Sequence, residues 1–118
     1  MLAHLGKVLI DIRNASQLPV TQMVVTMHAA AAQGDPYDLR MGPERAFLGE
    51  HRFHNVPPTD HAIPIQLSRP GVADFVNELR RTDPGATAVL LISMRFRDAA
   101  GIVWHRSEIG ELTQVKPA

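Results

Sequence analysis

Three histidines that lie close together in the sequence, His51, His54 and His61, are the residues best suited to metal chemistry in this chain. Imidazole nitrogens bind transition metals when two to four such ligands converge. Residues 51 and 54 are three positions apart, and on a strand such residues point to opposite faces. A bend near 55–57 would allow His54 and His61 to meet. A metal-dependent enzyme using His51, His54 and His61 is therefore the least favoured alternative, and we predict no metal ligand.

Serine and carboxylate side chains also occur, but their spacing indicates no known reaction. Nucleophilic catalysis needs an activated serine, threonine or cysteine beside a base and an orienting acid. None of the four serines lies in a Gly-x-Ser-x-Gly turn, and no glycine-rich phosphate loop is present. The carboxylate pairs at 35/38 and 74/78 have the spacing of solvated surface residues. We therefore predict no catalytic residue and no cofactor, and the chain is not expected to be an enzyme.

Exposed basic and apolar side chains are the remaining candidates, and they indicate binding rather than catalysis. Arg95 and Arg97 share the outer face of a predicted strand, where they either bind an acidic partner or keep the face soluble. A long loop predicted over 33–44 carries Tyr37, Leu39 and Met41, and apolar residues in such a loop can form a contact surface. These five residues are the candidate interaction surface for a protein partner or a second copy of the chain.

Composition narrows the setting in which the chain works. Twelve basic residues balance twelve acidic ones, so no overall charge attracts nucleic acid or anionic membranes. The absence of cysteine and of a signal-peptide pattern favours a reducing, cytoplasmic location, and no apolar run is long enough to insert into a membrane. Ten of the twelve basic residues are arginine and alanine is abundant, which is typical of high-GC coding and indicates a bacterial, actinobacterial source.

Alternating apolar residues predict a mostly β domain that covers residues 1–118. Val8, Ile10 and Ile12 form one inner face, and Met23, Val25 and Met27 form another. Phe47 and Phe53 are expected to anchor the third strand, Leu90, Ile92, Met94 and Phe96 to face inward from a later strand, and Pro64 to lie in an edge strand. The predicted strands are 7–13, 19–28, 46–53, 63–67, 87–96, 102–106 and a last short one near 109–115.

A single helix near residues 71–81 interrupts the β pattern. Its apolar residues, Val72, Phe75, Val76 and Leu79, have the spacing of one helical face. Ser68 is expected to cap the helix start, and Pro70 suits its first turn. Two arginines at 80 and 81 suit the last turn, where the helix dipole is negative.

The residues 87–106 predict a β-hairpin. Asp98, Ala99, Ala100 and Gly101 have the composition of a type I turn followed by a glycine in the left-handed region. This turn places Phe96 opposite Trp104 and Met94 opposite Arg106. Trp104 is expected to be a core aromatic, and the alternative is a ligand-binding platform.

The number and spacing of the strands favour an antiparallel β-sandwich of about seven strands over a small barrel. Two stretches also resemble the layout of immunoglobulin-like (fibronectin III-like) accessory domains in uncharacterised actinobacterial proteins. They are Ile10-Asp11-Ile12-Arg13-Asn14-Ala15-Ser16 with Leu18-Pro19-Val20, and the segment from Phe96 to Arg106 with Gly110-Glu111-Leu112. The resemblance implies a non-catalytic module of a larger chain that mediates protein interaction or assembly through a sheet edge or the end loops. A carbohydrate-binding or small-molecule-binding β-domain is the alternative.

Overall fold

Strands dominate the part of the chain that the structure, a computed structural model, describes: residues 7–32 and 46–116. They account for 56% of these residues, and a single helix accompanies them. For these residues, the prediction of a mostly β fold with one helix is confirmed. The elements are β1 (Lys7–Ile12), β2 (Val20–Ala32), β3 (Ala46–Val56), β4 (Ile63–Ser68), α1 (Pro70–Thr82), β5 (Thr87–Arg97), β6 (Val103–Arg106) and β7 (Leu112–Gln114).

The described strands form two antiparallel sheets. One contains β1 and β4, and the other has the order β3-β2-β5-β6-β7. Each strand of a two-stranded sheet has a free edge, so β4 accommodates Pro64, which lacks the N–H needed for pairing on both sides. In the larger sheet the outer strands are β3 and β7.

The described residues also divide into two compact units, and each of the strands β1 to β5 contributes to both. The first unit comprises 7–9, 27–32, 46–49 and 66–91, and its buried residues include Met27, Ala29, Leu67 and Leu91. The second unit comprises 10–26, 50–65 and 92–116, and its buried residues are Ile10, Asn14, Met23, Val25 and Val56.

Alternation along β1 and β2 follows the sequence pattern. Val8 and Ile10 are buried, whereas Leu9 between them is 68% exposed. On β2 the buried side chains are Met23, Val25, Met27 and Ala29, and the strand continues through Ala32 rather than ending at 28. Side chains at i and i+2 share a face, so one face of each strand supplies apolar core contacts.

Two apolar predictions on β3 and β5 are wrong. Phe47 is 61% exposed and anchors no core, and β3 instead continues to the buried Val56. On β5, Leu90 is exposed while Leu91 is buried. The reason is that different faces of β5 are covered along its length: odd-numbered residues are the more buried around Leu91, and even-numbered residues are the more buried near Phe96.

Helix α1 shows the predicted half-buried face of Val72, Phe75, Val76 and Leu79. Pro70 lies in its first turn and the two arginines in its last, as expected. The predicted cap is wrong, because β4 extends through Ser68 and Arg69 becomes the flanking residue, with no side-chain cap. Gly71 packs closely within the first unit, because a Cβ there would lie 3.3 Å from Leu48 Cδ2.

The β5–β6 hairpin has the predicted turn and register. The Asp98 N–H donates to the Ile102 carbonyl over 2.9 Å, and Gly101 has a φ of 85°. Phe96 pairs with Trp104, and Met94 pairs with Arg106. Beyond the positive-φ residue Gly110, β7 pairs with β6, which confirms the last short strand. Over the ranges that the structure describes, no helix is long and apolar enough to span a membrane.

Candidate functional site

The three histidines considered for metal binding have other neighbours. The His51 ring packs edge-on against Phe53, with 4.7 Å between ring centroids. His61 Nδ1 lies 2.7 Å from the carboxylate of Asp60, at an exposed position, and His54 is also exposed. Across 7–32 and 46–116, no three His, Cys, Asp or Glu side chains converge in a way that could hold a metal ion.

Arg95 and Arg97 lie where their spacing predicts, on the outer face of β5 in the second unit. Both are exposed, and cross-strand pairing places them opposite His105 and Val103. Within the described part of the chain, neither guanidinium has a hydrogen bond or an ion pair. Tyr37, Leu39 and Met41, the other candidate contact residues, lie outside the described residues.

Arg52 joins these two arginines in a groove of about 510 Å³ on the second unit. An adjoining depression of about 440 Å³ shares Val24, Arg52 and Arg95 with it. We call both together the arginine groove. Its polar and charged lining residues are Gln22, Thr26, Glu50, Arg52, His54, Ser93, Arg95, Arg97 and His105.

The charge of the arginine groove is positive. Three arginines face one carboxylate, Glu50, whose Oε2 accepts a hydrogen bond from Arg52 Nη2 over 3.3 Å. Sequence reasoning missed Arg52, because its approach to Arg95 depends on the strand order β3-β2-β5, which joins strands far apart in the chain. The available signal was the alternation that places Arg52 and His54 on one face of their strand.

The backbone of Gln22 adds a local irregularity beside the arginine groove. Its φ is 52°, the one positive value among the described residues other than glycine. Such a conformation costs a non-glycine residue on the order of 1 kcal/mol, and it is found more often near functional sites than elsewhere. Gln22 lines the groove together with Val24, two positions further along β2.

Trp104 is half-buried, and its indole N–H donates to Asp98 Oδ2 over 3.0 Å. Asp98 Oδ1 accepts the backbone N–H groups of Ala100 and Ile102, each at 2.9 Å. The hydrogen bond from Trp104, followed by that from the Ile102 N–H, lowers the pKa of Asp98. The polar edge of Trp104 is therefore already hydrogen-bonded within the hairpin.

Asn14 is a buried polar residue of the second unit, and its amide is hydrogen-bonded within the chain. Its Nδ2 donates to the carbonyls of Leu18 and Val56 over 2.8 and 2.9 Å. Its Oδ1 accepts the backbone N–H and the hydroxyl of Ser16, an arrangement typical of turns that begin with asparagine. All of these bonds are internal, so the amide has a structural role.

A second concave surface, a cleft of about 580 Å³, lies in the second unit and is distinct from the arginine groove in most of its lining. The apolar face of β5 lines this inner cleft, together with Met23 and Val25 of β2 and Val56 of β3 in the same sheet. Arg106 is the charged side chain that this apolar face of the hairpin contributes.

Comparisons of the chain with protein-family models, with curated proteins and with solved structures found no match.

Proposed function

We propose that this chain is a non-catalytic, immunoglobulin-like (fibronectin III-like) module that binds an acidic segment of a protein partner in the arginine groove. The observation that carries the proposal is the state of Arg95 and Arg97: two exposed guanidinium groups in a concave surface, without carboxylate partners among the described residues. The mostly β architecture with two antiparallel sheets supports the module class. The proposal includes the cytoplasmic, bacterial setting expected from composition.

Charge complementarity identifies the occupant. A guanidinium forms two parallel hydrogen bonds with a carboxylate, which gives both attraction and orientation. Arg95 and Arg97 project from alternate positions of one strand, about 7 Å apart along it. Carboxylates at every second position of an extended peptide repeat at the same interval, so an extended acidic segment matches the groove. A nucleic acid duplex is a less suitable occupant, because its binding depends on many basic residues and this chain has a net charge of zero.

The arginines that carry the proposal favour binding over catalysis. Arginine does not deprotonate in proteins, so it supplies no general base. The pKa of Asp98 is lowered by hydrogen bonds that keep the carboxylate within the hairpin, away from the groove. The serines and carboxylates considered in the sequence have no assigned role in this proposal.

The test is a quantitative affinity capture from the source organism with three immobilised forms of the chain. They are the wild type, Arg95→Glu/Arg97→Glu, and the control Arg80→Glu/Arg81→Glu, which makes the same charge change on exposed helix residues. Circular dichroism first establishes that each form is folded. The expected result is a partner retained by the wild type and the control, lost from the groove variant, and released as salt increases.

A second step identifies the bound segment. Peptides that tile the captured partner are titrated against the wild type by fluorescence anisotropy. The proposal expects the tightest peptide to be acidic, and expects neutral Gln replacements of its Glu and Asp residues to abolish binding. A partner captured equally by all three forms, or a tightest peptide without acidic residues, would overturn the proposal.

A further inference from the structure

We infer that the inner cleft of the second unit is a binding site for a small molecule with an aliphatic chain and a carboxylate, and that Arg106 binds the carboxylate. The site goes beyond the protein-binding proposal, since it uses the opposite face of the β5–β6 hairpin. Its volume of about 580 Å³ falls within the range of about 300–1,000 Å³ that is usual for small-molecule pockets.

The walls of the inner cleft suit an aliphatic chain. Ile92, Met94 and Phe96 of β5 line it, and all three are only half-buried although they occupy the inner face of the strand. Met23, on the neighbouring strand β2 of the same sheet, also lines the cleft and is buried. Methionine side chains are flexible and polarisable, so the walls can adapt to chains of somewhat different length.

Arg106 lies on this apolar face because of the hairpin register. It pairs with Met94, directly beside the Phe96–Trp104 pair, and paired residues on neighbouring strands point to the same side. A charge pointing inward often protects an edge strand, but β6 lies between β5 and β7. Edge protection therefore does not explain why an arginine occupies this position.

The guanidinium of Arg106 is available for a ligand. It is exposed at the rim, and the structure records no hydrogen bond or ion pair for it within 7–32 and 46–116. Gly110 leaves room beside it, since a Cβ there would lie 3.6 Å from Arg106 Nη2. A ligand carboxylate at the rim would meet the guanidinium while its chain enters the apolar cleft.

Asn14 and Asp98, two other polar residues of the inner cleft, are already hydrogen-bonded within the chain. Asn14 forms its bonds within the Asn14–Leu18 turn and to Val56, and Asp98 accepts three N–H groups of the hairpin. The cleft is also lined by Asp11 and by Arg13, whose Nε donates to the Thr59 carbonyl over 3.4 Å. Arg106 is the cation of the cleft that has no recorded partner among the described residues, so we assign to it the selection of a carboxylate over an uncharged head group.

The test compares decanoate, below its critical micelle concentration, with decanol as a probe of the same chain length. Binding is measured by isothermal titration calorimetry and by the methyl NMR signals of Met23 and Met94. The variants are Arg106→Gln and the control Arg80→Gln, which removes the same charge from an exposed helix residue outside both proposed sites. Circular dichroism confirms that both are folded.

The expected result is one decanoate per chain, with shifts of both methionine methyl signals. Arg106→Gln should weaken decanoate binding about tenfold, as expected for loss of one charge-assisted hydrogen-bonded pair. The same change should leave decanol binding unaltered, and Arg80→Gln should alter the binding of neither ligand. Absence of saturable decanoate binding to the wild type would overturn the inference, as would an equal loss in the two arginine variants. Neither failure would contradict the proposed function, because the experiment measures binding in the inner cleft and not in the arginine groove.

Discussion

The indole N–H of Trp104 donates to Asp98 Oδ2 over 3.0 Å, so the side chain of β6 is tied to the first residue of its own hairpin turn. The same carboxylate accepts the N–H groups of Ala100 and Ile102. Three donors converge on one anion, which lowers its pKa, with the indole as the largest cause. The hairpin therefore depends on the charged form of Asp98.

This dependence predicts a loss of stability in acid. Because the pKa of Asp98 is lower in the folded chain, its contribution is complete above the usual aspartate pKa of about 3.9 and is lost as pH falls through the lowered value. Trp104→Phe should reduce the slope of unfolding free energy against pH below about pH 4. Urea titrations at several pH values would measure it, and an unchanged slope would contradict the role assigned to the indole.

Gly101 predicts a purely conformational cost of substitution. Its φ is 85°, and a Cβ at this position would meet no atom within 4 Å. Gly101→Ala should therefore destabilise the fold by about 1 kcal/mol through backbone strain. Gly101→Asn should cost less, because asparagine tolerates the left-handed region. Equal urea midpoints for alanine and asparagine would argue against strain as the cause.

Removing the buried amide of Asn14 should be among the more damaging polar substitutions in the described part of the chain. Asn14→Ala removes the amide donor to the Val56 carbonyl and one of the two side-chain donors to the Leu18 carbonyl, and we expect a loss of about 2–3 kcal/mol. Ser16→Ala removes a hydroxyl at an exposed position and should cost less than about 1 kcal/mol. Chemical denaturation of both variants gives the comparison, and similar losses would contradict it.

Two apolar strand residues, one buried and one exposed, should respond very differently to truncation. Met27 is 0% exposed, and Met27→Ala should destabilise the fold by about 2–5 kcal/mol because it leaves a cavity. Leu9 is 68% exposed, and Leu9→Ala should change stability by no more than about 0.5 kcal/mol. Thermal unfolding monitored by circular dichroism distinguishes the two outcomes.

Local rules were sufficient to predict the elements and the hairpin. Proline at the helix start, glycine after Asp98, and alternation along β2 each act over a few residues, so the sequence displays them directly. Phe47 and Leu90 were mispredicted because apolar character does not reveal which face of a strand is covered. That depends on the neighbours that the fold brings together.

The candidate sites show the same limit. The shared face of Arg95 and Arg97 follows from their spacing, and the opposition of Met94 and Arg106 follows from the turn. The approach of Arg52 follows from neither, since it requires the order of the strands in the sheet. The availability of Arg106 also depends on its having no ion pair among the described residues, which is a three-dimensional property.

Strand β5 has a further consequence for how the chain finds its pairing. Its more buried residues change from odd-numbered positions around Leu91 to even-numbered positions near Phe96. A strand covered on one face throughout can shift by two residues and still bury apolar side chains. In β5 such a shift would move the changeover relative to the neighbouring strands. Leu91 would then lose its covered position, or a residue that points the other way would become buried. The changeover therefore acts as a positional mark that disfavours slipped pairings during folding.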